Sequence, residues 1–276
     1  MNQIAENVII GRNVVLGNNV TIKSGCILED NIVIGDNCYL DYNVIVHSNV
    51  QVGACSTIGA CCILGEYLQD FYVDQINKEH MLTIGEHALI RSCTIIYGQN
   101  KIGNNFQTGH RVTIRENSNI GNNVRIGTLS DIQGFCEIQD YVNLHSNVHI
   151  GQKSIVKKYV WIFPYVVLTN DPTPPSNELL GVTIDEYAII STKSIILPGK
   201  HIQRGALVGA AAVVTKDVGE NKIVVGNPAK ELGDTSIIKN KITGENVYPW
   251  PYSFERGMPW EGIGFDNWQR EQTGEY

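Results

Sequence analysis

The sequence has no long apolar run, and its first ten residues, "MNQIAENVII", do not place a basic stretch before an apolar one. A helix that spans a bilayer needs roughly 20 apolar residues, and an export signal needs a basic segment followed by an apolar core. We therefore expect a soluble, cytoplasmic protein without a membrane partner.

Basic residues are also scarce. The chain has 21 Lys and Arg against 28 Asp and Glu, which gives a formal net charge of -7. An acidic chain has no general attraction for nucleic acid or for an anionic membrane. Any phosphate-bearing ligand must therefore be bound locally, by a few well-placed side chains.

The seven cysteines include no CxxC pair. Four of them occupy one small-residue position of the repeat described below, where Val, Ser and Ala occur elsewhere. These four are Cys26, Cys38, Cys62 and Cys136. We predict that they are reduced and serve as small apolar side chains, not as disulfide partners.

A period of six dominates the sequence, in place of the helical period of 3.6 or the strand period of two. Every sixth residue is aliphatic from Ile10 to Leu64, from Ile84 to Leu168 with the single exception of Thr108, and from Ile184 to Val214. If each hexad is a short strand and a turn, three hexads make one triangular coil around an aliphatic core. Residues eighteen apart then stack at about 4.8 Å. The fold class predicted is an all-β, parallel β-helical solenoid.

Two insertions interrupt this repeat, and extra residues must leave a solenoid as loops on its outside, where such loops often carry function. We divide the chain into N-terminal coils (1–64), an inserted loop (65–83), a main β-helix (84–230) and an aromatic-rich, irregular extension (231–276). The loop at 169–183, inside the main β-helix, is the predicted catalytic loop.

The last coils read "LVGAAAVVTKDV" and then "VVGNPAK". Small residues let an extended ligand lie against the backbone, lysines can pair with phosphates, and Gly-Asn-Pro favours a turn. The residues suited to such a ligand are Gly209, Ala210, Ala211, Lys216 and Lys230.

The hexads and this ending resemble the hexapeptide-repeat acyltransferases over roughly Ile10 to Lys230. The resemblance implies a left-handed β-helix and a homotrimer with active sites between subunits. It further implies that coenzyme A binds near the Gly-Asn-Pro-Ala segment, which adds Asn227 and Pro228 to complete the set of cofactor-binding candidates. It also implies that acetyl-CoA is the co-substrate and that no metal is needed.

Three internal segments, "TGHRVTIREN", "LHSNVHIG" and "VWIFPYVVLTND", and the tail "YPWPYSFERGMPWEGIGF" narrow this resemblance. They are similar to the N-acyltransferases of nucleotide-linked amino sugars, especially dTDP-3-amino-3,6-dideoxyhexoses. The resemblance implies a role in making an N-acylated sugar for a surface glycan, such as an O-antigen or S-layer glycan.

Stacking by eighteens puts polar residues in one column that leads to the second insertion, and places Asp131 directly below His149. His110 follows the break in the aliphatic ladder. The catalytic candidates are Asp171, Asn170 and His110, and the substrate-binding candidates are Gln152, Glu116, Arg115, His145 and His149. A polar ladder satisfied by its own neighbours and an exposed ion pair of little energetic value are the alternative interpretations.

N-acylation needs a neutral amine, donors for the developing oxyanion and an acceptor for the amine proton. Asp171 or His110 can be the base, or the released CoA thiolate can take the proton while positioning supplies most of the rate. The sequence leaves these options open.

Four further alternatives remain at this stage. The acceptor can be a dTDP-4-amino-4,6-dideoxyhexose, with acetyl-CoA or a larger acyl-CoA as donor. A zinc trimer like the β-helical carbonic anhydrases would use His110, His145 and His149. The chain can also be a non-catalytic binding solenoid. The tail, with Trp250, Trp260 and Trp268, can pack as a cap or stack on a nucleotide base.

Overall fold

The structure, a computed structural model, describes residues 1–75 and 80–274. Nearly every hexad forms a two-residue strand whose first side chain points outward and whose second points into the core. Four corner residues follow, and the third of them has a left-handed backbone, as in Asn13 and Asn31 at φ of 56° and 59°. Asn tolerates this conformation better than most residues, which explains its frequency there.

Eleven strands precede the first insertion: β1 Gln3–Ile4, β2 Ile9–Ile10, β3 Val15–Leu16, β4 Thr21–Ile22, β5 Ile27–Leu28, β6 Val33–Ile34, β7 Tyr39–Leu40, β8 Ile45–Val46, β9 Val50–Val52, β10 Thr57–Ile58 and β11 Ile63–Glu66. Fifteen strands lie between the insertions: β12 Leu82–Ile84, β13 Leu89–Ile90, β14 Ile95–Tyr97, β15 Lys101–Ile102, β16 Gln107–Thr108, β17 Thr113–Ile114, β18 Asn119–Ile120, β19 Arg125–Ile126, β20 Asp131–Ile132, β21 Glu137–Ile138, β22 Asn143–Leu144, β23 His149–Ile150, β24 Ile155–Val156, β25 Trp161–Ile162 and β26 Val167–Leu168. Eight strands follow: β27 Thr183–Ile184, β28 Ile189–Ile190, β29 Ile195–Ile196, β30 His201–Ile202, β31 Leu207–Val208, β32 Val213–Val214, β33 Lys222–Val225 and β34 Lys230–Asp234.

Three sheets form the faces of the solenoid. Sheet A has 13 strands beginning with β1 and β4, sheet B has 11 beginning with β2 and β5, and sheet C has 10 beginning with β3 and β6. Each strand pairs in parallel with the strand one coil further on, as Ile22 does with Leu40, and only the final pair, β33 with β34, is antiparallel among the pairs described. The all-β solenoid predicted from the hexads is confirmed. The left hand of the coil stays an implication of the resemblance.

We name the corners by the sheets they join. Both insertions leave from the B–C corner, the first between β11 and β12 and the second between β26 and β27. Since fifteen strands make five complete coils, the two loops stand about 24 Å apart along this corner. Strands β11 and β12 reach into the predicted loop 65–83, which also contains the short helix α1 (Phe71–Asp74). Residues 76–79 of that predicted loop lie outside the described residues.

The core consists of the inward ladder and of the small corner residues. Cys26, Cys38, Cys62 and Cys136 are all buried, as predicted from their position in the repeat. The ladder exception, Thr108, is also buried, and its hydroxyl accepts a hydrogen bond from the backbone N–H of Arg91 at 2.9 Å. A polar side chain is tolerated in this core because it is hydrogen-bonded.

The extension packs on the side of its own solenoid. After two 3₁₀ turns, Thr235–Ile237 and Trp250–Tyr252, it ends in helix α2, Phe265–Thr273. Its aromatic residues pack on tyrosines of the C–A corner, and the indole of Trp250 donates a hydrogen bond to the carbonyl of Tyr187 at 2.8 Å. Within the described part of the chain, helices are too short or too polar to cross a membrane.

Candidate functional site

A column of corner residues leads to the second insertion, as the spacing of eighteen predicts. The carbonyl of Glu116 accepts the N–H of Phe135 at 2.9 Å, and that of Gly134 accepts the N–H of Lys153 at 3.4 Å. One coil further on, Gly151 lies so close to Asn170 that a Cβ added to the glycine would be 3.2 Å from the Asn170 Cβ. Glu116, Gln152 and Asn170 therefore share the B–C corner on successive coils, with Gly134 between them.

Arg115 and Glu116 form a forked ion pair at this corner. Two guanidinium nitrogens of Arg115 approach the carboxylate oxygens of Glu116 at 2.9 and 3.1 Å. The guanidinium also lies over the ring of Tyr97, 5.9 Å from its centroid. Because its planar fork is held by a carboxylate and an aromatic face, Arg115 presents its remaining donors from a fixed position.

Asp131 and His149 pair across sheet B in the predicted register. The Nδ1 atom of His149 is 3.2 Å from a carboxylate oxygen of Asp131, which also accepts a hydrogen bond from Gln133. Partial burial opposes ionisation of Asp131, but the contacts with His149 and Gln133 outweigh it and hold the pKa of Asp131 below its ordinary value. Both side chains are partly exposed, so the pair is accessible to a ligand.

The second insertion is organised around Asp171. Its carboxylate accepts hydrogen bonds from the N–H of Thr173 at 3.0 Å, and from the N–H and hydroxyl of Ser176 at 2.9 and 2.7 Å. Bonds from Ser176 lower the pKa of Asp171. The loop closes where the N–H of Leu180 donates to the carbonyl of Asn170 at 2.8 Å. Asp171 is thus an ionised anchor of the loop and a weaker base than a free aspartate.

Two histidine candidates lie elsewhere. His110 and His145 are on the A–B corner, across sheet B from Asn170 and Asp171. His110 is exposed, whereas the imidazole of His145 stacks on Phe163 with 4.7 Å between ring centroids. Burial lowers the pKa of His145, which keeps it neutral at neutral pH. Within one chain, the structure does not bring these histidines to the loop.

The C-terminal coils hold a cavity of about 380 Å³ lined by three of the cofactor-binding candidates, Lys216, Pro228 and Lys230. The other four, Gly209, Ala210, Ala211 and Asn227, do not line it. Gly209 is required by close packing, because a Cβ there would lie 2.7 Å from a methyl group of Val225. Ala211, at φ of 56°, follows on the same A–B corner.

The cavity and the second insertion, which the sequence predicts to be the catalytic loop, share one corner. Lys216 lies on the B–C corner two coils beyond Asn170, a distance of about 10 Å along the solenoid axis. A ligand held at the cavity can therefore extend along this corner to the loop.

The first insertion was not assigned to the site from the sequence, but it lies on the same corner. Glu29 anchors it: its carboxylate accepts the hydroxyl of Tyr67 at 2.8 Å and lies 3.0 Å from Nδ1 of His47. The ring of Tyr67 in turn stacks on Phe71 of α1, with 3.8 Å between centroids. These contacts thus brace the first insertion against the B–C corner, five coils from the second insertion.

Over residues 1–75 and 80–274, we find no group of three His, Cys, Asp or Glu side chains that could hold a metal ion. His110 is two coils away from the coil that carries His145 and His149. The sequence-based expectation that no metal is needed stays a prediction.

Comparison with known proteins agrees with the repeat. The family described as "Bacterial transferase hexapeptide (six repeats)" matches residues 31–66. A 2,3,4,5-tetrahydropyridine-2,6-dicarboxylate N-acetyltransferase of Staphylococcus aureus is 34% identical over 83 residues, which are 30% of this chain and 34% of the relative. A Schizosaccharomyces pombe protein named as an acetyltransferase is 43% identical over 53 residues, 19% of this chain and 26% of the relative. The chain thus matches about a third or less of the length of these relatives.

Among solved structures, the N-acyltransferase AntD of Bacillus cereus, crystallised with dTDP and coenzyme A, aligns with 62% of this chain and 91% of its own, at 21% identity and a TM-score of 0.38. The family match and the curated relatives, together with the triangular coil and its six-residue ladder, lead to one conclusion. The chain carries hexapeptide repeats and is similar in sequence, over part of its length, to acetyltransferases.

Proposed function

We propose that this protein is an acyl-CoA-dependent N-acyltransferase that moves an acetyl group from acetyl-CoA to the amino group of a dTDP-linked 3-amino-3,6-dideoxyhexose. The observation that carries the proposal is the alignment, on one corner, of the lysine-lined cavity with the loop of Asn170 and Asp171. The similarity to an N-acetyltransferase supports acyl transfer to nitrogen. The sequence segments given above support the sugar nucleotide.

The donor would enter from the C-terminal end. Lys216 and Lys230 lie at the cavity and can pair with the phosphates of coenzyme A. The small residues Gly209 to Ala211 precede β32, and Lys216 follows it, so the candidates flank one strand. The thioester would then extend along the B–C corner toward Asn170.

The acceptor would occupy the five coils between the insertions. Arg115 offers fixed donors to a phosphate, and the carboxylates of Asp131 and Asp171 lie on the same side of the molecule. The phosphates of an extended sugar nucleotide can bind the Arg115 guanidinium, which would place the amine of the sugar near the second insertion.

The low pKa of Asp171 bears on the proton that the amine must lose. A carboxylate whose charged form is stabilised is a poor proton acceptor, so we assign Asp171 and Asn170 the task of orienting the amine. The free amine attacks the thioester carbonyl, the carbon–sulfur bond breaks, and the CoA thiolate receives the proton. A backbone N–H group of a coil would stabilise the oxyanion.

A homotrimer with active sites between subunits is part of the proposal. The outward row of sheet B is aliphatic at Ile9, Ile27, Ile45, Ile63, Ile95, Val167, Ile195 and Val213. It is interrupted only by Thr113, Asp131 and His149, which lie beside the candidate site. An apolar face with a polar gap suits contact with a second copy that leaves room for a ligand. Such packing would also let His110 and His145 of one subunit face the loop of another.

The test is a coupled assay of CoA release with acetyl-CoA and purified dTDP-3-amino and dTDP-4-amino-6-deoxyhexoses side by side. Rapid turnover of the 3-amino sugar is expected. Turnover of only the 4-amino sugar would move the proposal to that isomer. If neither sugar reacts, binding of CoA is measured by calorimetry. Binding would support an acyl-CoA-dependent enzyme that uses another donor or acceptor, and no binding would overturn the proposal. A monomer by light scattering would remove the shared-site arrangement.

A further inference from the structure

Two exposed cysteines, Cys61 and Cys93, occupy the same position on adjacent coils. The register of the flanking strands pairs Ile58 with Ile90 and Leu64 with Ile96, which puts Cys93 directly above Cys61. The N–H of Cys93 donates to the carbonyl of Ala60 at 2.9 Å, so the two corners are in hydrogen-bonding contact. Their Cα atoms are therefore about one strand spacing, or 4.8 Å, apart.

The geometry at this position suits a bond between the two sulfurs. Both residues are free thiols with left-handed backbones, at φ of 57° for Cys61 and 61° for Cys93. With the same backbone conformation on parallel coils, their side chains leave the corner in the same direction. A disulfide joins Cα atoms that are roughly 4.4–6.8 Å apart, and the coil spacing lies within that range. Its Cβ atoms are about 3.5–4.5 Å apart, so closing the bond requires the two exposed corners to tilt toward each other by a few tenths of an ångström.

The remaining cysteines differ from this pair. Cys62 and Cys136 are buried, and burial raises the pKa of each thiol to about 11, which leaves little thiolate at neutral pH. Cys55 is exposed and left-handed like the pair. Its neighbours in the stack, however, are Asn37 and His87, so it has no thiol beside it. Cys55 is a natural single-thiol control.

We propose that Cys61 and Cys93 form a reactive dithiol that hydrogen peroxide closes into a disulfide between adjacent coils. One thiolate attacks the peroxide, the O–O bond breaks, and a sulfenic acid and one water form. The second thiolate then attacks the sulfenic sulfur, and a second water leaves. In total, two S–H bonds are lost, one S–S bond forms, and peroxide takes up the two electrons and two protons. A thiol reductant reverses the reaction.

The position of the pair gives this chemistry a structural effect. Cys61 precedes the first insertion and Cys93 follows it, so the disulfide would enclose that insertion in a covalent loop. The disulfide would link two adjacent coils at the A–B corner. The insertion leaves the solenoid between the same two coils, at the B–C corner. A cross-link that encloses a long loop restricts the unfolded chain, so oxidation is expected to raise the unfolding temperature.

The test uses the full-length protein, fully reduced and then exposed to limiting hydrogen peroxide. Free thiols are blocked with N-ethylmaleimide, and the digest is read by mass spectrometry. We expect a linked pair of peptides containing Cys61 and Cys93, with the mass of two hydrogen atoms lost, that dithiothreitol separates again. Oxidation is also expected to raise the melting temperature in a reversible manner.

Asparagine is the matched replacement, because the fold already uses it at left-handed corner positions such as Asn43, the residue below Cys61. Cys61→Asn and Cys93→Asn should each abolish the linked peptides and the temperature shift, whereas Cys55→Asn should keep both. Phenylarsine oxide, which bridges two thiols, should bind with one site per chain in the Cys55→Asn variant and with none in the other two. The proposal is overturned if the link survives Cys61→Asn, if it joins two chains, or if peroxide only oxidises the three exposed thiols singly.

Discussion

Asp171 accepts two hydrogen bonds from a single residue, Ser176: one from its hydroxyl at 2.7 Å and one from its backbone N–H at 2.9 Å. The carboxylate that the sequence marks as a candidate base is therefore engaged in holding the second insertion in shape. These bonds lower its pKa, so Asp171 is ionised over the whole neutral range. This favours a role in orientation over one in proton abstraction.

The first prediction concerns this carboxylate. Asp171→Ala should lower kcat/KM for acyl transfer by about 10- to 100-fold without abolishing it, since positioning is weakened and the CoA thiolate still accepts the proton. Steady-state assays of CoA release measure the effect. Glu178→Ala, in the same loop and exposed, is the control and should keep full activity. Full activity of Asp171→Ala would refute the role, and a rate lost entirely would point to an essential base instead.

The second prediction is a pH dependence of stability that arises at His145. Burial lowers its pKa in the folded state, so the unfolded state binds the proton more readily. The contribution of His145 to stability is therefore complete above its unfolded pKa of about 6.5, and declines as the pH falls below that value. The free energy of unfolding, measured by chemical denaturation, should fall less between pH 8 and pH 5 in His145→Phe than in the unmodified protein. Phenylalanine can keep the stack on Phe163.

His87→Asn provides the control for this experiment. His87 is exposed and has a left-handed backbone that asparagine tolerates. Its pH profile should match that of the unmodified protein. An identical profile for His145→Phe would contradict the effect of burial.

The third prediction concerns the cavity at the C-terminal end. Lys216→Ala and Lys230→Ala should each raise the KM for acetyl-CoA by about tenfold, the loss of one charge-assisted hydrogen bond, and should leave the KM for the acceptor unchanged. Kinetics at varied acetyl-CoA and fixed acceptor measure this. Lys241→Ala, on the exposed tail, should leave both constants unchanged. If the acceptor KM rises instead, the cavity binds the sugar nucleotide and the assignment of the two ends is reversed.

The fourth prediction concerns the extension. Trp260 is fully buried, and its indole N–H donates to the carbonyl of Phe254 at 3.0 Å. Trp260→Ala should lower the stability of the folded extension by about 3–5 kcal/mol, the usual cost of truncating a buried tryptophan. Limited proteolysis should then cut residues 231–274 faster while the coils stay resistant. Ile242→Ala, where the side chain is 95% exposed, is the control. Unchanged proteolysis of Trp260→Ala would show that the packed cluster contributes little.

The fold could be predicted in detail because each hexad specifies its own strand and corner. The aliphatic ladder predicts which side chains point into the core. Even its exception, Thr108, points inward, and its hydroxyl accepts a hydrogen bond from the N–H of Arg91. The stacking of Asp131 under His149 followed from the same count. The packing of the extension could not be predicted in this way, since the contact of Trp250 with Tyr187 joins residues 63 positions apart and follows no repeat.

The candidate site was predictable only in part. The spacing of eighteen correctly stacks Gln152 below Asn170. The fifteen hexads from Ile84 to Leu168 are five whole coils, so the count alone places both insertions on one corner and His110 on another. The bonds of Asp171 inside its loop were not predictable, because irregular backbone has no period to count.

The five coils between the insertions fix the distance between the two loops as a whole number of coil spacings. Removing one whole coil of eighteen residues would bring the two loops closer by one step of about 4.8 Å and leave them facing the same way. Removing a single hexad would instead turn one loop by about a third of a revolution, onto a neighbouring face of the triangular coil. If the acceptor binds between the two loops as proposed, relatives that keep both loops on one corner can change the length of that site only in units of a full coil.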